Sequence, residues 1–396
     1  MTEGAPEPPQ DAADVPSASR PVWWKQLLSI GITVLVLVLV FGFVLPQVAD
    51  YREIMGYLTD ISTAWWIVLG VISVWFLVAY PIVLTTTIRT LNLREAFVNH
   101  MTGTAITNSL PSGGAIAIAV NYAMYLSWGF TPEAVSAGLL AGGVWDWFAR
   151  IALPALAVFA IAIVSVVLPW MWLVSIAGVL WVAFAAWLLA KVLRSEAMAT
   201  SVATWVDGVV GRIFGWIKRD PPGTYDAILQ FRIDLRTVLS DRVWPLTAAT
   251  VANHMAMASL FTASIYAVGV SPEDIPIPWA VLAFALGRFL VMIPVSPGGL
   301  GLVDLGWIGL LTLGWQTANP GEPVDHDVIA AGVLLFRGLS LLPPIPIGMG
   351  TWVFWRFNKS WRQPWRTVRR GETVSVSEGQ RGLQIDTDND LDSNGQ

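Results

Sequence analysis

Five charged side chains stand inside long apolar stretches: Asp146 and Arg150 together, and Arg288, Asp304 and Arg337 in three further segments. A lone charge at the centre of a bilayer costs at least about 2.5 kcal/mol, so each of these must find a partner or a wet cavity. Asp146 and Arg150 are four residues apart and share one helix face; they either close on each other as a salt bridge or face a substrate. Arg288, Asp304 and Arg337 gather around a Pro/Gly-rich break, where the planar guanidinium fork suits a phosphate and an Arg–Asp pair pinning the break is the competing use. His254 lies beside Asn253 in an apolar run, which fits an interhelical hydrogen bond or a proton relay. The three histidines, His100, His254 and His326, are too scattered for a local metal motif, and the absence of cysteine removes thiolate ligands, disulfides and cysteine nucleophiles. No metal or cofactor site is expected.

A second set of residues could shape a binding site through the backbone. Pro111-Ser112-Gly113-Gly114 and Pro297-Gly298-Gly299, with Gly301 just beyond, interrupt two apolar stretches. Glycine tolerates positive φ and leaves amides uncovered, so the half-helix that follows each break can offer its N-terminus to an anionic head group. Close helix packing is the other service glycine performs in membranes.

The elements that must hold these groups follow from composition. Of 396 residues 13% are charged and 55% hydrophobic, and the mean hydropathy is +0.60, which excludes a water-soluble surface and predicts an all-α polytopic membrane protein. Apolar runs predict six transmembrane helices at Leu27–Leu45, Trp65–Leu84, Trp147–Leu168, Trp170–Ala190, Val243–Val268 and Val328–Phe354, several edged by tryptophan. A cleaved signal peptide competes for the first run, which is longer than a usual signal core. The interrupted stretches Ala96–Trp128 and Trp279–Trp315 have arms of about 15 residues, reaching about 22 Å, short of the roughly 30 Å of hydrocarbon. They are expected to be re-entrant helical hairpins, with short tilted spans as the alternative.

Residues 1–20 read as a disordered tail, 21–356 as one membrane domain and 357–396 as a basic, then acidic, tail. Within the domain the halves are 27–168 and 170–356, the second carrying a polar segment, 191–242. That segment reads as an amphipathic helix on the cytoplasmic face or as packed soluble helices. Lysine and arginine cluster at Arg20, Lys25, Arg89, Arg94, Lys191, Arg194 and Arg356, while the opposite loops are acidic, which places both termini in the cytoplasm and runs the halves in opposite senses. Arg150 follows Gly114 by 36 residues and Arg337 follows Gly299 by 38, so the halves are read as an inverted repeat, the plan of alternating-access transporters.

The string Ile293-Pro-Val-Ser-Pro-Gly-Gly-Leu-Gly-Leu-Val-Asp304, with Gly287-Arg288 before it and Leu335-Phe-Arg337 and Pro343-Pro-Ile-Pro-Ile-Gly348 after it, resembles the lysylphosphatidylglycerol synthetase transmembrane-region family of flippase-like proteins. Weaker echoes, Leu110-Pro-Ser-Gly-Gly114 and Trp145-Asp-Trp-Phe-Ala-Arg150, extend the resemblance over most of residues 25–356, leaving out the tails and the polar segment. It implies a lipid translocase without the transferase domain that some members carry; the family has Glu where this chain has Asp304.

The expected function is therefore movement of a phospholipid or glycolipid with an anionic head group between leaflets of a bacterial plasma membrane, without covalent chemistry. Anionic head groups would also meet the six bases of Arg356–Arg370. Two rivals stand beside it. A noncatalytic partner of a lipid synthase, or a homo-oligomer in that role, would co-purify with its enzyme. An integral-membrane enzyme acting on a lipid phosphate would need an activated base or nucleophile, and no such constellation stands out. No phosphate-binding loop is present for ATP.

Overall fold

A computed structural model describes residues 51–110, 113–164, 169–216, 224–239, 241–291, 301–358 and 361. The expected first span, the terminal tails, and the tip residues Pro111, Pro297, Gly298 and Gly299 lie outside the described residues. The described chain is all-helical, without strands.

Among the described residues thirteen helices follow in order: α1 Tyr51–Thr59, α2 Thr63–Thr87, α3 Leu93–Ser109, α4 Gly113–Ser127, α5 Pro132–Val164, α6 Pro169–Arg194, α7 Glu196–Trp216, α8 Thr224–Leu239, α9 Val243–Ala267, α10 Ile277–Leu290, α11 Leu302–Ala318, α12 His326–Leu341 and α13 Pro344–Phe357. Local chemistry sets several starts. Asn92 and Glu95 form a reciprocal capping box at α3, and the Asp325 carboxylate accepts from the amides of Asp327 and Val328 at α12. Gly301, at φ 90°, turns the chain into α11, and its N–H donates to Asp304 at 2.9 Å. That backbone favours glycine because a side chain there would be strained.

Four segments are long and apolar enough to cross a membrane: Thr63–Thr87, Pro132–Ile163, Ile176–Arg194 and the joined pair His326–Phe357. The expected spans at Trp65–Leu84 and Trp170–Ala190 fall within α2 and α6. Two expectations need correction. The helix placed at Trp147–Leu168 begins much earlier, at Pro132, and runs 33 residues; Val135, Ala137 and Ala141 are buried against neighbouring helices, so packing carries the helix through sequence too mixed to read as a span. The run Val328–Phe354 is divided into α12 and α13 at Leu342-Pro343, with Pro344 opening α13, because two successive prolines remove amide donors and crowd the preceding turn. The helix at Val243–Ala267 has the expected bounds and 25 residues, but is less apolar than the four. It is packed by α2, α5, α10 and α12, and a helix covered by protein has less need of an all-apolar surface.

The ends of the helices sort into two sets. At one end, Arg89 pairs with Asp241 at 2.7 Å, Arg242 donates to the Thr85 carbonyl, and Trp355 donates to Ser127 at 3.1 Å. This set contains both ends of the α3–α4 pair. At the other, Tyr57 donates to Asp325 and Asn319 donates to the Asp274 carbonyl, bringing together both ends of the α10–α11 pair. The packing is crosswise: α3 lies on α13, and α10 lies on α5. Gly348 of α13 touches the Met101 carbonyl and Ala105 of α3 so closely that a Cβ would collide with both. The polar segment folds as the helix pair α7–α8, and α8 buries Leu235, Val238 and Leu239 against α2, α5 and α9.

Candidate functional site

Two buried charge centres lie inside the bundle. In the second half, Asp304 in the first turn of α11 receives the Arg337 Nε donor at 2.5 Å. Both side chains are almost fully enclosed, at 5% and 9% exposed. The Arg337 guanidinium lies 4.5 Å over the Trp307 ring, and Trp307 stacks edge to face with Phe336 and tilts against Phe261. The cation is thus held by a carboxylate and an aromatic face at once, with Asp304 itself fixed by the Gly301 amide.

In the first half, Arg150 donates from Nε to Asp146 at 2.6 Å, one turn earlier on α5. Each side chain is 19% exposed. His254 of α9 places Nε2 at 3.4 Å from the other Asp146 oxygen, while its Nδ1 meets the Thr250 carbonyl at 3.0 Å. A carbonyl only accepts, so Nδ1 carries the hydrogen. Neutral His254 then turns a lone pair toward the carboxylate, and only a further proton makes the two complementary. Arg288 and Tyr80 stand within the electrostatic reach of this group, and the Tyr80 ring lies 4.6 Å from that of His100.

The structure divides residues that the sequence grouped. Asp304 joins Arg337, and Asp146 joins Arg150, but Arg288 leaves the Asp304 side for the α5 side, where its carbonyl accepts from Arg150 at 3.5 Å. Its enclosed Nε meets no hydrogen-bond partner among the described residues. The neighbouring Gly287 faces Trp307 so tightly that a Cβ would overlap the indole, and a helix turns about 100° per residue, which swings Arg288 away from the Asp304 pair. Of the tip residues, Gly113 closes against the Ile106 carbonyl, Gly114 has open space beside it, and Gly301 caps α11. Asn108, near the first tip, donates to the Leu341 carbonyl beside the α12–α13 break. His326 faces Thr312 at 3.3 Å.

Two cavities flank α5 and α9. One, about 500 Å³, lies among α2, α5, α9 and α10 and extends from His254 and Ala149 to Trp65, Tyr266 and Ile277. The other, about 820 Å³, lies among α5, α6, α8 and α9 and ends at Arg194 and Arg236. They share Ala149, Ala152 and Val251 as walls and extend to opposite ends of the bundle. Neither is lined by Arg288, Asp304 or Arg337. The arginines of the larger cavity and the approach of His254 to Asp146 escaped sequence reasoning, because their partners lie on different helices and no local spacing marks them.

No protein-family model matches the chain and no curated protein sequence matches it. Helix content and the four long apolar segments fit a membrane protein.

Proposed function

We propose that this chain is a lipid translocase of the flippase-like class that its Pro-Gly-Gly motif resembles, moving a phospholipid or glycolipid with an anionic head group between leaflets. The observation that carries the reading is the pair of apolar cavities on either side of Ala149, Ala152 and Val251 that reach toward opposite ends, with His254 lining one of them and the Asp146–Arg150 pair beside His254. Acyl chains need continuous apolar walls; a head group crossing between them needs a polar station, because burying its charge unpaired is costly. Asp146 and Arg150 supply opposite charges next to the cavity-lining His254. Asp304 and Arg337 serve as the clasp that holds α11 against α12.

The crosswise packing, α3 on α13 and α10 on α5, supports an inverted repeat in which the α3–α4 and α10–α11 pairs enter from opposite faces as re-entrant hairpins. The same reading puts Arg89, Arg194 and both termini in the cytoplasm of a bacterial cell, with six crossings in all.

The test is leaflet exchange in proteoliposomes containing fluorescent phosphatidylglycerol, with a membrane-impermeant quencher added outside. Protein-dependent quenching of more than the outer half of the label is expected. Exchange no faster than in protein-free vesicles, with the protein correctly inserted, would sink the proposal.

A further inference from the structure

The larger cavity has features that its apolar walls alone do not explain. Ala149 and Ala152 of α5 and Ala186 and Ala190 of α6 keep the slot open by their small size. At one end stand Arg194, the last residue of α6, and Arg236, in the last turn of α8. Both are exposed, and neither forms an ion pair with a described residue. Two carboxylates close in sequence to Arg236 are engaged elsewhere: Asp241 with Arg89 at 2.7 Å and Asp234 with the Gln230 amide at 2.8 Å.

The spacing of the two arginines is braced rather than accidental. Arg232, one turn before Arg236, is buried and donates from Nε to the Val192 carbonyl of α6 at 3.0 Å. This bond locks α8 to the end of α6, while Leu239 anchors the end of α8 within the apolar cluster. A cation in the last turn of a helix is favoured by the helix dipole, which accounts for Arg194 and Arg236 each on its own helix. It does not account for the two standing at the same cavity end.

We propose that this cleft holds an acyl chain of an anionic glycerophospholipid between α5, α6 and α9, with its phosphate between Arg194 and Arg236. Free phosphate would leave about 820 Å³ of apolar slot empty, and a neutral hydrocarbon would leave both cations unanswered; an anionic amphiphile satisfies both. Guanidinium groups match phosphate oxygens in planar, paired fashion. Because α8 belongs to the polar segment, that segment completes the site. The site deepens the translocase reading by naming where lipid is first held, and it depends on that reading only for the journey that follows.

The experiment uses the full chain in mild detergent with phosphatidylglycerol carrying a diazirine near the end of one acyl chain, and diacylglycerol with the same chain, which lacks the phosphate. Photolabelling should map to Ala149–Ala152, Val182–Leu193 and Val243–Val251, with phosphatidylglycerol preferred about fivefold, the scale expected of two exposed charge contacts. Arg194→Gln with Arg236→Gln should reduce that preference to near parity, the paired lysine substitutions should keep part of it, and Ala190→Trp should block labelling without changing the elution volume. Labelling elsewhere, or an undiminished preference in the double glutamine variant, would overturn the site. If the cleft is labelled as described but wild-type protein exchanges no lipid, the translocase reading falls and the site stands. If exchange proceeds while the cleft is unlabelled, the site falls alone.

Discussion

Arg150 and Arg337 follow the two Gly-Gly pairs at similar distances, 36 residues after Gly114 and 38 after Gly299, yet they are held differently. Arg337 takes its carboxylate from another helix, Asp304 of α11, and rests on Trp307 within a cluster that includes Phe261 and Phe336. Arg150 takes its carboxylate from its own helix, a turn away, and the pair reaches other helices only through longer contacts, to the Arg288 carbonyl at 3.5 Å and His254 at 3.4 Å. The Asp304–Arg337 pair is nearly sealed, whereas the Asp146–Arg150 pair is 19% exposed and beside His254, which lines a cavity. A pair that ties helices together and is nearly sealed from solvent is built to stay closed. One that costs the fold little to open, next to space and a titratable ring, is suited to exchange partners with a head group.

The sharpest way to break this contrast is to remove each arginine. Arg337→Gln leaves Asp304 buried without its cation, a loss of about 3–5 kcal/mol when one partner of a buried pair is deleted, and the monodisperse fraction in size exclusion should collapse. Arg150→Gln leaves the more accessible Asp146 with His254 at 3.4 Å; the protein should elute as wild type and lose leaflet exchange. Equal yields for the two variants would erase the distinction between clasp and working pair.

A smaller effect probes whether the crosswise packing holds the halves together. Gly348→Ala forces α13 away from the Met101 carbonyl of α3 and should cost about 1–3 kcal/mol, as overpacking does. Gly350→Ala, two residues on, has nothing within 4 Å and should be neutral or slightly stabilising. Thermal unfolding followed by tryptophan fluorescence would compare them, and matching midpoints would mean that the α3–α13 contact carries no stability.

The unequal halves also explain what the residue order could and could not reveal. The arms Leu93–Ser109 and Gly113–Ser127 were legible because Pro111-Ser112-Gly113-Gly114 breaks an apolar run, and backbone chemistry acts locally. The early start of α5 was not, because Glu133, Ser136, Gly142 and Gly143 dilute hydropathy while Val135 and Ala141 are buried by distant residues. The split at Leu342-Pro343 is masked in the residue order because the apolar run continues on both sides of the two prolines. Asp304 and Arg337 could be matched because buried charges of opposite sign need each other. Arg288 could not be placed, since its direction depends on which neighbour, Gly287, is squeezed against Trp307.

The mildest test asks whether the order of the second half reaches its outer rim. Tyr57 of α1 donates to Asp325 at 2.6 Å, and Asp325 also caps α12 by accepting from the Asp327 and Val328 amides. The hydrogen bond to Asp325, then burial, then the charges of Asp325, Glu53 and Asp327 push the Tyr57 phenol up from 10.0 to about 12. The phenol therefore ionises later in the folded protein than in the unfolded chain. Its stabilising contribution should be complete below the unfolded value and fade as pH rises through the folded one. Tyr57→Phe should cost about 1 kcal/mol or less at neutral pH, as expected of one half-exposed hydrogen bond, and the penalty should vanish above about pH 12. Subtracting the tyrosinate absorbance of Tyr57→Phe from that of the wild type isolates this one phenol among seven tyrosines. A midpoint near that of free tyrosine would show α1 undocked from α12 and restrict the rigid part of the second half to the Asp304–Arg337 clasp and its aromatic bed.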